Sequence, residues 1–198
     1  MGKYILAIIL GYLIGNFATS YVAGKLIANI DIRNHGSGNA GATNTFRVLG
    51  PAAGTIVFIG DVLKGLLAAL IGRWLTGTVA GGMLAGTFAV VGHNWPVMFN
   101  FKGGKGIASS FGLIMALFPK IGLILFVVVV TVILVSRYVS LGSITAAVLF
   151  PILLIIFGQP FRIVLLGLIL CLMALWRHTD NISRLRMGKE NKISFLGK

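Results

Sequence analysis

The stretch IGLILFVVVVTVILVS, residues 121–136, decides the fold class. It carries no charge over its whole length, and a helix that crosses the hydrocarbon core of a bilayer needs about 20 residues of this kind. Similar apolar stretches recur along the chain, and only 11% of its 198 residues are charged, against about 25% in a typical soluble domain. These charges are too few to cover a water-facing surface. We therefore predict an all-α integral membrane protein with one polytopic domain, residues 1–198, and no soluble domain.

The apolar runs predict about seven transmembrane helices, separated by breaks that contain Gly or Pro. The fourth run is short for a full span and is compatible with a partly re-entrant segment. The first is not a secretory signal peptide, because it is too long, contains polar residues and lacks a clear cleavage site. The expected spans are residues 4–24, 52–72, 77–95, 105–118, 121–136, 143–157 and 162–176.

Seven spans place the two termini on opposite sides of the membrane. The distribution of Lys and Arg predicts which terminus lies inside, since positive residues are enriched in cytoplasmic loops. Twelve Lys and Arg residues would lie on one side and four on the other. We therefore expect the amino terminus outside and the carboxyl terminus in the cytoplasm. The cytoplasmic group is Lys25, Arg33, Arg47, Lys102, Lys105, Arg137, Arg177, Arg184, Arg186, Lys189, Lys192 and Lys198, and the outer group is Lys3, Arg73, Lys120 and Arg162.

The charge balance also limits the partners. Seventeen Lys and Arg residues against four acids give a net charge of +13, which could attract nucleic acid, anionic membrane lipid or a phosphorylated substrate. Nucleic acid is disfavoured, because the cations are confined to short loops between apolar spans. The one cysteine, Cys171, lies in an apolar run and predicts a packed side chain, without a disulfide framework or a cysteine-based metal site.

A first polar segment, HGSGNAGATNTFR at residues 35–47, is expected on the cytoplasmic side. Its small residues allow backbone N–H groups to converge on an anion. Neutral hydrogen-bonding side chains accompany them, and Arg47 adds a two-pronged donor suited to phosphate. A flexible interhelical loop is the plain alternative. A linker rarely combines this many small residues with two Asn, two Thr and an Arg, and the pattern therefore favours a functional segment.

A second polar segment, residues 92–110, contains GHNWP at 92–96 and FKGGKGIASS at 101–110. Its spacing is not that of a P-loop. Glycines directly before a helix nonetheless expose the N–H groups of its positive end, which favours phosphate binding. Lys105, between glycines, is the better ligand candidate, whereas Lys102 could equally extend to lipid headgroups. His93 and Asn94 are equally consistent with function and with structural polar groups.

A third polar segment, RHTDNISRLRMGKEN at residues 177–191, follows the last span. Polybasic tails of this kind commonly bind anionic lipid, which accounts for Arg184 and Arg186. Lipid binding does not account for His178 and Asn181, which lie three residues apart and would share one face of a helix. We therefore expect these two residues to be functional.

Two smaller features complete the inventory. Asp61 and Lys64 lie three residues apart within the second span and can neutralise each other, as a structural ion pair or as part of a site. Ser143, after a short cytoplasmic connection, could offer a hydroxyl to a ligand.

This inventory is rich in phosphate ligands and poor in carboxylates, which argues against a magnesium-dependent phosphotransferase. No histidine is followed five residues later by aspartate, which disfavours a His-x-x-x-x-Asp acyltransferase. A membrane site for two phosphates fits, one on an amphiphile and one on a soluble co-substrate. An organophosphate transporter is the alternative, although no inverted repeat is visible.

The three polar segments resemble the three signature motifs of the bacterial acyl-phosphate:glycerol-3-phosphate acyltransferases. The matching residues are SGNAGATN at 37–44 with Arg47, GHNWP at 92–96 through GGKG at 103–106, and HTDNI at 178–182. The resemblance covers essentially the whole chain. It implies transfer of a fatty acyl group from acyl phosphate to the sn-1 hydroxyl of glycerol 3-phosphate, in phospholipid synthesis at the bacterial inner membrane. The products would be lysophosphatidic acid and inorganic phosphate, with no covalent enzyme intermediate, cofactor, metal or obligatory protein partner.

The resemblance also implies the roles of individual residues. The expected catalytic residues are Ser37, Arg47, Lys105, His178 and Asn181. Glycerol 3-phosphate would be bound by these five and by Ser143, with Arg47 as the main phosphate clamp. The expected acyl phosphate ligands are Asn39, Thr43, Asn44, Gly103, Gly104, Lys105 and Gly106. We favour His178 as a positioning group over a general base, because an oxygen of the acyl phosphate could itself accept the proton.

Overall fold

Every regular element within residues 1–193, the part of the chain that the computed structural model describes, is helical. Two 3₁₀ turns, Ile32–Asn34 and Val97–Phe99, accompany the α-helices. The helices are α1 (Gly2–Gly15), α2 (Thr19–Ala28), α3 (Ala42–Leu49), α4 (Pro51–Thr76), α5 (Val79–Asn94), α6 (Ile107–Leu117), α7 (Pro119–Ser136), α8 (Val139–Ile156), α9 (Phe161–Arg177) and α10 (Thr179–Arg186). Two compact units divide the chain, Met1–Phe118 and the part from Pro119 onward. Lys198, one of the expected cytoplasmic cations, lies outside the described residues.

Four helical segments are long and apolar enough to cross a membrane: α1 with α2 as one 27-residue segment, α4, α7 and α8. The pair α9 and α10, bent by 60° at its break, would make a fifth. Helix α6 has only 11 residues, in agreement with the short fourth segment predicted from the sequence. The all-helical prediction is thus confirmed for the described residues, whereas the count of seven spans and the direction of the termini stay predictions.

Three local details were not evident from the apolar runs. The first span consists of two helices, α1 and α2, which meet at residues 16–18, where the side-chain oxygen of Asn16 accepts a hydrogen bond from the Val97 N–H at 2.7 Å. About half of the first polar segment is helix α3, which is too short and too polar to stand out as an apolar run. Ser143 lies inside α8, and its hydroxyl donates to the Val139 carbonyl at 3.0 Å.

The helix ends follow the local sequence. Helix α4 begins with Pro51, whose fixed φ and missing N–H suit a first helical position. It ends at Gly77, whose φ of 69° lies in the left-handed region that glycine tolerates. Thr78 then caps α5, because its hydroxyl accepts a hydrogen bond from the Gly81 N–H at 3.0 Å. These signals fix a tight reversal between the two helices.

Helices α1 and α5 of the first unit pack backbone to backbone. Gly11 and Gly15 lie four residues apart on one face of α1, the spacing that lets helices approach closely in membranes. A Cβ added at Gly11 would overlap the carbonyl oxygen of Ala85, and one at Gly15 would overlap that of Ala89. The contact therefore requires glycine at both positions, and it fixes the direction in which α5 ends.

Helices α4 and α6 meet in the same way. A Cβ at Gly65 of α4 would overlap the carbonyl oxygen of Ser109, and one at Gly112 of α6 would overlap that of Val62. The start of α6 is thus held against the middle of α4. In the second unit, α8 packs against both α7 and α9, with Phe150 and Leu154 fully buried.

We predict that Gly11→Ala destabilises the protein by about 1–3 kcal/mol, the usual cost of inserting a methyl group where no space exists. Thermal unfolding of purified protein in detergent measures the effect as a lower Tm. The matched control is Gly2→Ala on the same helix, where an added Cβ has no atom within 4 Å. Equal Tm values for the two variants would contradict the backbone contact between α1 and α5.

Candidate functional site

Asn44 organises the first polar segment from within α3. Its side-chain amide donates to the carbonyls of Ile32 at 3.2 Å and His35 at 3.0 Å. Its amide oxygen accepts from both the N–H (2.9 Å) and the hydroxyl (3.1 Å) of Ser37. Asn44 is 1% exposed. A residue expected to bind acyl phosphate therefore uses its hydrogen-bonding groups to hold the loop that presents Ser37.

The remaining predicted residues of this segment lie on its open side. Ser37 is exposed in the loop, and Asn39 is partly exposed just before α3. Thr43 and Arg47 lie four residues apart in α3, so they share one face of the helix. Thr43 is partly exposed and Arg47 is exposed, whereas Asn44 between them in the sequence is buried. The segment therefore presents hydroxyl, amide and guanidinium groups around one short helix.

Arg33, two residues before the first polar segment, links that segment to the second through a hydrogen bond to Phe99. Its guanidinium pairs with Asp31 at 2.6 Å and donates to the carbonyl of Phe99 at 3.1 Å. It also lies 5.5 Å from the ring of Tyr21 and 5.2 Å from that of Phe99, within cation–π range. The hydrogen bond from Arg33 lowers the pKa of Asp31. The sequence analysis counted Arg33 only as a cytoplasmic cation, although the Asp-x-Arg spacing was a signal for the local pair.

The glycine loop, defined here as residues 102–106, lies directly on His93. The Gly104 N–H donates to the His93 carbonyl at 3.0 Å. A Cβ at Gly103 would overlap that carbonyl oxygen, and one at Gly104 would overlap His93 Nε2. Gly106 has a φ of 78° and is followed at once by α6. Close approach explains Gly103 and Gly104, the left-handed backbone explains Gly106, and the first N–H groups of α6 emerge beside this loop.

A buried charge network lies behind the glycine loop. Lys64 Nζ is 2.8 Å from Asp61 Oδ1, 2.6 Å from His93 Nδ1 and 3.1 Å from the carbonyl oxygen of Phe17. The hydroxyl of Thr19 also donates to Asp61. The ion pair predicted from the spacing of Asp61 and Lys64 is confirmed. The link to His93 was missed, because 29 residues separate it from Lys64 and no local pattern joins them.

Lys64 and His93 also line a cleft at the break between α1 and α2. Its lining further includes Asn16, Tyr21, Arg33, Lys102 and Gly103. Six of these side chains are cationic or can donate hydrogen bonds, which suits an anionic ligand. Nearby, the fully buried amide of Asn94 lies beside Gly106 and has no hydrogen-bond partner within the described residues.

The third polar segment belongs to the second unit, where His178 lies between α9 and α10. Its Nδ1 is 2.7 Å from the carbonyl oxygen of Ala174. A carbonyl can only accept, so Nδ1 carries the proton, and the neutral ring keeps its lone pair on Nε2. Asn181 follows in α10, as the predicted helical spacing requires, and both side chains are buried. Among residues 1–193 no three His, Cys, Asp or Glu side chains come together as metal ligands.

Glu190 holds the third segment together. It accepts hydrogen bonds from Ser140 at 3.0 Å, Asn181 at 2.7 Å and Arg184 at 2.8 Å. Burial raises the pKa of Glu190, but these three donors outweigh burial and lower the pKa below its usual value. Arg184, interpreted from the sequence as a lipid-binding cation, thus forms an ion pair. Sequence reasoning missed Glu190, because nothing local distinguishes it from a solvated charge.

The predicted residues therefore fall into two groups. The first unit holds Ser37, Asn39, Thr43, Asn44, Arg47, Gly103, Gly104, Lys105 and Gly106, on two segments joined by Arg33. The second unit holds Ser143, His178 and Asn181. Within it, Ser140 at the start of α8 and Asn181 of α10 bind the same carboxylate.

Known proteins resemble the chain over nearly its full length. A family model described as glycerol-3-phosphate acyltransferase matches residues 5–188. The chain is 51% identical to the glycerol-3-phosphate acyltransferase of Thermoanaerobacter sp. (strain X514), covering 96% of this chain and 95% of that protein. It is 43% identical to the protein of the same description from Clostridioides difficile (strain 630), with 96% of each covered.

Two crystal structures of PlsY, an integral membrane glycerol 3-phosphate acyltransferase, are similar to this fold. The glycerol 3-phosphate form gives a TM-score of 0.91 at 37% identity and covers 96% of each chain. The lysophosphatidic acid form gives a TM-score of 0.88 at 36% identity, covering 96% of this chain and 95% of that one.

We predict that Asn44→Asp lowers the free energy of unfolding by about 1–3 kcal/mol, because the carbonyls of Ile32 and His35 lose their donor and face a carboxylate. Thermal unfolding in detergent measures the loss. Asn39→Asp is the matched control, since Asn39 makes no side-chain hydrogen bond in the described residues and should leave Tm almost unchanged. An unchanged Tm for Asn44→Asp, with only a raised KM, would instead assign Asn44 to ligand binding.

We predict that Glu190→Gln lowers Tm at neutral pH, because the glutamine loses the ion pair with Arg184. The folded-state pKa of Glu190 is lowered, so its stabilisation is present above the usual value of 4.5 and is lost as pH falls through the lower folded value. The Tm difference between wild type and variant should therefore shrink below pH 4.5. Asp180→Asn, at an exposed acid in the first turn of α10, is the control and should change Tm less. A difference that does not vary with pH would contradict this account.

Proposed function

The chain belongs to the glycerol-3-phosphate acyltransferase family, and we propose that it transfers a fatty acyl group from an acyl phosphate to the sn-1 hydroxyl of glycerol 3-phosphate. Lysophosphatidic acid and inorganic phosphate are the products. The observation that supports the acyl phosphate donor is the glycine loop, which lies at the start of α6 beside a cleft whose lining includes the cations Arg33 and Lys102. Backbone N–H groups and cations in this arrangement suit a phosphate.

The acids of the chain support a reaction without a catalytic carboxylate. Asp31 pairs with Arg33, Asp61 with Lys64, and Glu190 with Arg184, so three of the four acids already neutralise cations. A mixed anhydride is an activated acyl donor and needs no covalent enzyme intermediate. The protein must supply proximity and stabilisation of negative charge. Glycine N–H groups, lysine and arginine can do both.

On the donor side, we assign the phosphate of acyl phosphate to the loop Gly103–Gly106 and the N–H groups that begin α6. Asn39 and Thr43 assist there. We assign to Lys105 a contact with both phosphates, through which it stabilises the charge that develops between them. Asn44 acts as a scaffold in this proposal, because its amide is already engaged by the first polar segment.

On the acceptor side, Arg47 clamps the phosphate of glycerol 3-phosphate, and Ser37 contributes a hydroxyl. Ser143, His178 and Asn181 of the second unit keep, as predictions, the glycerol 3-phosphate roles that the family resemblance implies. Asn181 already donates one hydrogen bond to Glu190, which fixes the direction of its amide.

The proposed step forms an ester bond from the sn-1 oxygen to the acyl carbon and breaks the bond from that carbon to the phosphate oxygen. The hydroxyl proton leaves either to Nε2 of His178 or to an oxygen of the departing phosphate. We favour the phosphate as acceptor and His178 as a positioning group, because the hydrogen bond to Ala174 fixes its ring.

We further propose about seven transmembrane helices in one domain, with the amino terminus outside and the site facing the cytoplasm of a bacterial inner membrane. The cations Arg47, Lys102 and Lys105 lie on the two polar segments of the first unit, and Arg33 lies two residues before the first of them, which supports a cytoplasmic face by the positive-inside rule.

We predict that purified protein releases phosphate from palmitoyl phosphate only when glycerol 3-phosphate is present, with lysophosphatidic acid formed in equal amount. Arg47→Ala should lower kcat/KM for glycerol 3-phosphate by about 10- to 100-fold, because hydrogen bonds to charged groups contribute about 1.5–3 kcal/mol. Arg73→Ala, at an exposed arginine near the far end of α4, is the matched control and should retain activity. Absence of release, together with uptake of glycerol 3-phosphate into proteoliposomes, would favour the transporter instead.

A further inference from the structure

The Lys64 ammonium has its hydrogen-bonding capacity filled. It carries three N–H donors and no lone pair. Three acceptors surround its Nζ: Asp61 Oδ1 at 2.8 Å, His93 Nδ1 at 2.6 Å and the Phe17 carbonyl at 3.1 Å. Both Lys64 and Asp61 are at most 5% exposed, so water does not replace these partners. Each ammonium proton therefore has one acceptor.

This arrangement fixes the tautomer of His93. Because the ammonium can only donate, His93 Nδ1 must accept, and the single proton of the neutral ring lies on Nε2. A proton on Nδ1 would point at the Lys64 ammonium over 2.6 Å, placing two donors against each other. Asp61 does not change this assignment, since its carboxylate oxygen lies 3.6 Å from Nδ1 and already accepts from Lys64.

The Nε2–H points to the place where the two segments of the first unit meet. A Cβ built on Gly104 would overlap His93 Nε2 and would lie 2.7 Å from the carbonyl oxygen of Ala40, which precedes α3. The His93 carbonyl accepts from the Gly104 N–H in addition. One histidine thus contacts the glycine loop through its backbone and its ring, with Ala40 of the first polar segment beside it.

We propose that Asp61 and Lys64 are positioning residues that hold His93 as the neutral Nε2–H tautomer, and that this N–H sets the glycine loop against the first polar segment for acyl phosphate binding. The inference rests on the proposed function. A neutral donor suits this place, because it adds no proton that the phosphate could remove at neutral pH. The buried pair acts without touching the substrate, and its effect passes through one imidazole ring.

The tautomer is tested directly by ¹⁵N NMR of the imidazoles in wild-type protein. The chain has three histidines, so the signals of His93 are assigned by their loss in His93→Gln. We expect an acceptor-type shift at Nδ1 and an N–H-type shift at Nε2. The double variant Asp61→Asn with Lys64→Met removes both charges together and should give a mixture of tautomers. A protonated Nδ1 in wild type, or an unchanged tautomer in the double variant, would overturn the inference.

A pair of near-isosteres tests the consequence for activity. The amide nitrogen of glutamine reaches the position of Nε2, whereas that of asparagine reaches only the position of Nδ1. We expect His93→Gln to keep most of kcat/KM for acyl phosphate. We expect His93→Asn to lower it by about fivefold to tenfold, mainly because the KM for acyl phosphate rises, while the KM for glycerol 3-phosphate changes less. The same two changes at exposed His35 are the controls. Equal losses in both His93 variants, or better activity in His93→Asn, would refute the role of Nε2–H.

These outcomes separate the inference from the proposed function. Wild-type protein that makes no lysophosphatidic acid from acyl phosphate would refute the function, while the NMR shifts would still decide the tautomer. An active wild type with a protonated Nδ1 would refute the inference alone. If the double variant fails to fold, the wild-type spectrum and the glutamine–asparagine pair remain decisive.

Discussion

The contact between the glycine loop and His93 is the constraint on which the candidate site of the first unit depends. A loop can lie this close to a buried histidine only where its residues have no side chain, which accounts for glycine at positions 103 and 104. His93 is in turn fixed by its helix, because α5 meets α1 backbone to backbone at Gly11 and Gly15. The position of the loop is therefore set by helix packing through small residues.

The buried charges of the chain also depend on close packing, because each needs partners within the protein. A buried ion pair loses hydration, and that loss is balanced only when every donor and acceptor is satisfied. Thr19, Phe17 and His93 add such hydrogen bonds to the Asp61–Lys64 pair. Three of the four acids form ion pairs, and the chain as a whole has a net charge of +13, which favours the approach of anions.

The sequence predicted those features whose cause is local. Charge-free runs predicted the helices, the spacing of Asp61 and Lys64 predicted their pair, and glycines before an apolar run predicted a loop at the start of α6. The break at Asn16 was missed, because its partner Val97 is 81 residues away. The binding of Glu190 by Ser140 was missed for the same reason, since 50 residues separate them. Such contacts depend on which helices pack together, and that information is not contained in any one segment.

The two buried histidines show how neighbours decide function when the residue type is the same. His178 donates its Nδ1–H to the carbonyl of Ala174, so its neutral ring keeps a lone pair on Nε2. In the tautomer that we propose, His93 accepts at Nδ1 from Lys64, so its neutral ring carries a proton on Nε2. One ring can therefore accept a proton or a hydrogen bond, and the other can only donate. Of the two buried histidines, only His178 can therefore accept a proton in the proposed reaction, whereas the proposed role of His93 is to hold the glycine loop.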